Sequence, residues 1–192
     1  SDRGRDWGHD RMLTAGPIPE GGTSSWNELA RRRGEFFQDP AWVESLGPGA
    51  ERVGIFDAGG ALVGGFVVGR GRMAGLPVLR NPPFSQSSGP FWEERATTPI
   101  GRLEERRRVV DAMARYLEPR RGVALVGLSW RVEDVLPFRW RGFRCVVDYT
   151  YRLPLRSEGD ALLACYDGRV RNDVRKARKD GLEAHVGLDL DG

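Results

Sequence analysis

The chain has 192 residues, 40% hydrophobic and 30% charged, with a formal charge of +3, which suits one good core and part of another in a folded soluble domain. No apolar run approaches the roughly 20 residues of a membrane helix, and the polar N-terminus has no apolar signal region, so a membrane-spanning class is excluded and a cytoplasmic location is expected. Cys145 and Cys165 lack metal or redox spacing and read as a free buried pair in a reducing compartment, while 26 glycines and 12 prolines favour many turns over a helical bundle.

In chain order, residues 1–22 are rich in Asp, Arg, Gly and Pro without periodicity and read as a mobile arm. Thr23-Ser24-Ser25 form a capping cluster before Trp26, Leu29 and Ala30. Asp39 is a cap with Pro40 at the first helical position, and Trp42, Val43 and Leu46 make a short helix face. Val53–Phe56 reads as a strand, Asp57–Gly60 as a turn, and Ala61–Arg70 as the returning strand. Gly64, Gly65 and Gly69 inside it predict bulges or a close backbone approach. Leu76–Leu79 is another short strand, followed by a proline-fixed loop, Arg80–Pro90, whose Asn, Gln and Ser side chains suit either a site wall or a plain surface loop.

Thr98-Pro99 opens the best helix, with Ile100, Leu103, Val110, Met113, Ala114 and Leu117 on its buried face and Glu104/Arg108 and Asp111/Arg115 paired outside. Gly122–Ser129 is a continuous apolar run, expected to be a central strand covered on both faces, with Leu125 inside it and Val147–Leu153 beside it. Trp130–Arg144 mixes aromatics with arginines, which suits either packing or nucleic-acid stacking. Val147, Tyr149, Tyr151 and Leu153 alternate with polar residues as a strand, and Ser157 with Asp160 forms a capping box for a helix through Tyr166.

The stretch Gly168–Leu182 is a basic helix with Asp167 or Gly168 as N-cap and Gly181 as its stop. Val170, Val174 and Ala177 form a thin apolar stripe, Arg171, Arg175 and Arg178 a row beside it with Lys179, and Arg169 and Lys176 lie on the other flank. Six basic residues less Asp173 and Asp180 leave +4 here against +3 for the whole chain, so the remainder sums to −1. Arginine forks and lysine ammoniums in such a row suit phosphate or carboxylate groups, although a solvated basic face has the same composition. Only His9 and His185 are present, which argues against a histidine-based nucleophile arrangement or metal site.

Arg171-Asn172-Asp173-Val174-Arg175-Lys176-Ala177-Arg178-Lys179-Asp180-Gly181-Leu182 resembles the R-N-x-(hydrophobic)-R-K-A-x-K-x-G segment of the FemAB-type transferases. That family is built from two GNAT-like acyltransferase modules in tandem, and it includes enzymes that add bridge amino acids to peptidoglycan precursors. Phe36-Phe37-Gln38 followed by Trp42 is similar to the family's F-x-Q-x-x-x-W opening, and Leu136-Pro137-Phe138 with Arg141-Gly142-Phe143 to the step before its tyrosine-containing strand.

The resemblance implies an α/β (α+β) fold with a GNAT-like mixed central sheet and flanking helices. It places a complete module at residues 23–155 after the 1–22 arm, and a second, truncated module at 156–192. It further implies N-acyl or aminoacyl transfer to an amine of a cell-envelope precursor, with Gln38, Trp42, Arg171, Asn172, Arg175, Lys176, Arg178 and Lys179 binding a phosphate-bearing substrate. Asp148, on the polar face of its strand, is the carboxylate available as base. The donor implied is aminoacyl-tRNA or acyl-CoA, although the coenzyme A signature Q/R-x-x-G-x-G/A is absent: Arg70 is followed by Gly71, Arg72 and Met73. The missing remainder of the second module is an expected partner, and residues 1–192 alone are expected to be catalytically silent. The alternative is a non-enzymatic module using the basic helix on nucleic acid or another acidic partner.

Overall fold

The computed structural model describes residues 12–118, 122–149, 151 and 159–183. The chain divides into two compact units, Ser1–Val146 and Val147–Gly192.

The first unit is an α+β layer structure around a six-stranded mixed sheet. Its strands are β1 (Thr14–Pro17), β2 (Glu51–Phe56), β3 (Leu62–Met73), β4 (Leu76–Arg80), β5 (Phe91–Trp92) and β6 (Val123–Leu125). The order is β1-β2-β3-β4-β6, with β5 also paired to β3. Its helices are α1 (Thr23–Arg33), α2 (Pro40–Ser45), α3 (Pro99–Leu117) and α4 (Leu136–Trp140). The β2–β3 hairpin closes where the Asp57 carboxylate accepts from the backbone N–H groups of Gly59 and Ala61. The β3–β4 hairpin turns in two residues, because Ala74 and Gly75 both take positive φ between the paired Met73 and Leu76. β6 runs parallel to β4, and α3 supplies the crossover that a parallel step requires.

Alternation along β3 distributes the core over both faces of the sheet. Phe66 and Val68 join Val53, Ile55, Met113 and Leu117 against α3, whereas Val67 joins Trp26, Leu29, Val43 and Phe91 against α1 and α2. Gly64 and Gly65 are close-approach positions: a Cβ on Gly64 would stand 2.6 Å from the Phe91 carbonyl, and one on Gly65 2.8 Å from that of Val53. The register shift pairs Ile55 with Gly64 and Phe56 with Leu62, which leaves Val63 of β3 as the extra residue beside Gly64.

β4 and β5 occupy one position beside β3, with residues 81–87 looped out between them. The Val67 N–H donates to Ser88 O (2.9 Å), continuing the pairing from β4 to β5 across the excursion. Residues after β6 follow the same composite strand irregularly, through Ser88 N–H to Gly127 O (2.9 Å) and Ser129 N–H to Gly89 O (2.7 Å).

Several expectations are corrected. Val123–Ser129 is not a covered central strand: only Val123–Leu125 forms a ladder, it ends the strand order, and Leu125 is 73% exposed. Regular pairing stops where β4 stops, at Arg80 opposite Leu125, and the centre of the sheet is β2–β3. Residues 147–149 and 151 form no strand, and Val147, Tyr149 and Tyr151 are exposed. In α3, Val110, Met113, Ala114 and Leu117 are buried as expected, with Val109 and Ala112 added, but Ile100 is 73% exposed and Leu103 is exposed as well. A helix of 19 residues is roughly 28 Å long, and only its second half lies on the core. The first half is tied by ion pairs instead, Arg102 and Arg106 to Glu94 and Arg107 to Asp134.

Thr14–Pro17, within the stretch read as an arm, is a paired strand. Thr23 is helical rather than a cap, with Gly22 in the capping position. Both cysteines are free, as read, but exposed rather than buried, because they lie in segments outside the core. Ser157 and residues 184–186 lie outside the described residues.

At one end of the sheet–α3 layer, Arg70 binds the Glu51 carboxylate with two nitrogens and donates to the Tyr116 hydroxyl (2.8 Å), which in turn donates to Glu51 (3.1 Å). The Arg70 hydrogen bond holds the Glu51 carboxyl below its usual range, and burial pushes the Tyr116 phenol up to about 12. A phenol raised by folding contributes stability that is present below the unfolded value near 10 and is lost as pH rises towards 12. Urea unfolding at intervals from pH 9 to 12 should therefore show an alkaline loss of stability that is smaller in Tyr116→Phe. Equal alkaline slopes in the two proteins would contradict the linkage.

Candidate functional site

The second unit contains α5 (Gly159–Ala164) and α6 (Gly168–Lys179). Asp167 is the N-cap of α6, accepting from the N–H groups of Arg169 (2.7 Å) and Val170 (3.3 Å). At the other end Gly181 has φ +78°, with its N–H on Arg178 O and the Leu182 N–H on Ala177 O, a Schellman closure. These two ends fix where the basic residues stand. No residue of α6 is buried: Val174 and Ala177 are half-buried, and Val170 is exposed.

Two arginines of the row are oriented from within the unit. Arg175 donates to the Asn172 side-chain oxygen (2.7 Å), and Arg171 reaches the Ala164 carbonyl at the end of α5 (3.4 Å). Ten arginines of the first unit stand against carboxylates, such as Arg33 on Glu93 and Arg141 on Asp111 and Glu118. Among the described residues, no ion pair includes Arg169, Arg171, Arg175, Lys176 or Lys179. Those ten cations of the first unit are neutralised locally, whereas Arg169, Arg175, Lys176 and Lys179 are exposed and join no ion pair among the described residues.

The other expected site residues are placed differently. Gln38 is only 1% exposed and spends its amide inside the protein, donating to Ser87 O (3.0 Å) and accepting from the Glu35 N–H (3.1 Å). Half-buried Trp42 donates to the Ser85 hydroxyl (3.0 Å) and packs against Phe36 at a tilt and Phe37 edge-on. Both therefore hold the 81–87 excursion in place, and Gln38 offers no surface to a substrate. Asp148 is exposed in a segment without strand pairing, so it is not presented on a sheet face. Gln38 and Trp42 belong to the first unit, and Asp148 with Arg171, Asn172, Arg175, Lys176, Arg178 and Lys179 to the second.

Sequence reasoning missed the polar knot beneath the excursion. The Asn81 side-chain oxygen accepts from the Gly127 N–H (2.7 Å) and the Ser88 hydroxyl (2.9 Å), while its amide donates to Ser85 O (3.1 Å). Buried Ser129 donates to Glu35 (2.8 Å). The knot presents Phe84, 87% exposed with φ +56°, a backbone region that bulky side chains rarely adopt. Pro82-Pro83 was the only local signal of a fixed turn. Gly127, the Asn81 partner 46 residues away, carries none.

Among the described residues no cluster of His, Cys, Asp or Glu is disposed to hold a metal. The stretch Arg70-Gly71-Arg72-Met73, which lacks the coenzyme A signature, lies within β3, and the Arg70 guanidinium is engaged by Glu51 and Tyr116. No described helix is long and apolar enough to cross a membrane.

The fold defines an α+β protein with a mixed sheet and flanking helices. Compared with known proteins, the chain matches no family model, no curated protein and no solved structure.

Proposed function

We propose that this chain belongs to a FemAB-type N-acyl or aminoacyl transferase, and that α6 is the face that holds its phosphate-bearing substrate. The observation that carries the reading is the Arg171, Arg175 and Arg178 row on a helix capped at both ends, with Arg171 and Arg175 oriented by Ala164 and Asn172 and engaged with no carboxylate among the described residues. The resemblance of Arg171–Leu182 to the family's segment supports it, as do the β2–β3 hairpin and the α3 crossover. The exposed Leu125 counts against the strict GNAT-like sheet, so the proposal leans on α6 rather than on β6.

In this reading an amine of the acceptor attacks the carbonyl of an aminoacyl-tRNA or acyl-CoA donor, and the tetrahedral intermediate collapses to the amide as the ester C–O or thioester C–S bond breaks, the ribose hydroxyl or the thiol leaving with a proton. The protein positions both and stabilises the developing oxyanion. α6 anchors the phosphate end of the substrate through charge-assisted contacts, and Asp148 is the carboxylate proposed to take the proton.

Each such contact contributes about 1.5–3 kcal/mol when partly desolvated, and about 0–1 kcal/mol when fully solvated. Titration calorimetry with a nucleoside diphosphate should therefore show the double variant Arg171→Glu/Arg175→Glu binding at least tenfold more weakly, with its melting temperature almost unchanged. Val174→Asp should instead lower helix content, because it breaks the stripe that pins α6. Identical binding by the double variant and the parent would leave α6 as a solvated face.

A further inference from the structure

We infer that the anion bound along α6 also folds it: the helix is a conditional element whose order is coupled to occupancy of the Arg171/Arg175/Arg178 row. The inference rests on α6 being an anion site and concerns how that site is switched. Two features of the helix carry it.

The first is charge placement. At 100° per residue, Arg171, Arg175 and Arg178 fall within one narrow sector, and Lys179 borders it. Arg171/Arg175, Arg175/Arg178 and Arg175/Lys179 are like-charged neighbours at three- or four-residue spacing, an arrangement that destabilises a helix. Asp173 and Asp180 lie about half a turn round from Arg171, on the opposite side, where they cannot relieve the row. Helix formation therefore concentrates positive charge that the extended chain keeps apart.

The second is weak support. α6 has 12 residues, a length at which a helix with little tertiary packing is marginal in water, and its only packing is a thin stripe on which Val174 and Ala177 are half-buried and no residue is fully buried. The Asp167 cap and the Gly181 closure define where it begins and ends, and the Asp167 carboxylate, four residues before Arg171, opposes only the first charge of the row. An anion lying against the three arginines converts mutual repulsion into shared attraction, and only the helical state assembles them. Such a ligand binds the helix better than the coil and shifts the population towards it. The apparent dissociation constant is then the intrinsic one divided by the folded fraction, so the site is strengthened by whatever pre-forms the helix.

Hydrogen exchange read by mass spectrometry on the full 192-residue chain tests this with inorganic pyrophosphate as probe. Saturating pyrophosphate should slow exchange in peptides covering residues 168–182 at least tenfold, with half-effect at the dissociation constant measured by calorimetry, and should leave α3 unchanged. Arg175→Glu replaces three repulsions with attractions, so it should slow exchange in the free chain while weakening pyrophosphate binding. Binding without slower exchange, together with no protection in free Arg175→Glu, would overturn the coupling and leave the anion site standing. No binding of pyrophosphate by the parent chain would overturn both.

Discussion

Asn81→Ala is expected to destabilise the first unit by about 2–5 kcal/mol, because it strands the Gly127 N–H and the Ser88 hydroxyl and frees the Ser85 carbonyl. Each buried polar group left without a partner costs about 1–3 kcal/mol. The side chain stands where β4 gives way to the excursion, so its loss also loosens the attachment of residues 127–129 to residues 88–89. At about 2–4 °C per kcal/mol for a protein of this size, the melting temperature should fall by roughly 5–15 °C. Asn81→Asp keeps the acceptor oxygen for Gly127 and Ser88 and should lose less. Equal, small losses in the two variants would show that the knot does not hold the loop.

Trp26→Ala should cost about 3–5 kcal/mol, measured by urea unfolding. The indole is fully buried between α1 and the sheet, meets Phe91 edge-on at 5.1 Å between ring centres, and donates to Val53 O (3.0 Å). Gly65 lies against it with no room for a Cβ, so the neighbouring backbone cannot collapse freely into the cavity left behind. Trp26→Phe keeps most of the volume and loses the hydrogen bond, which should reduce the cost to about 1–3 kcal/mol. A Trp26→Ala loss below that of Trp26→Phe would contradict the packing account.

Elements whose signals are local were legible in the sequence. Asp39-Pro40 and Thr98-Pro99 open helices, Asp57–Gly60 turns a hairpin, and the basic helix begins and ends where Asp167 and Gly181 place it. Non-local features were not. The apolar run Val123–Ser129 carries the pattern of a central strand, yet the number of strands that flank it is set by partners elsewhere in the chain. Ile100 and Leu103 continue the helical periodicity of α3 past the point where the sheet ends, so periodicity alone assigned them to a core that stops short. Gln38 and Trp42 were expected to bind substrate, whereas their side chains hold Ser87 and Ser85, more than 40 residues away, which no local pattern could reveal. The α6 row was readable because helical spacing alone defines it.

The most direct test of the central proposal is the salt dependence of nucleoside diphosphate binding by the parent chain and by Arg171→Glu/Arg175→Glu, measured between 50 and about 200 mM salt. A defined site on the α6 row predicts a modest loss of affinity in the parent over that range and at least tenfold weaker binding by the double variant throughout. Tighter binding of a DNA oligonucleotide than of the nucleoside diphosphate, with an affinity falling about 10³-fold or more over that range, would instead mark non-specific polyanion attraction. Indistinguishable curves for the two proteins would contradict the account outright.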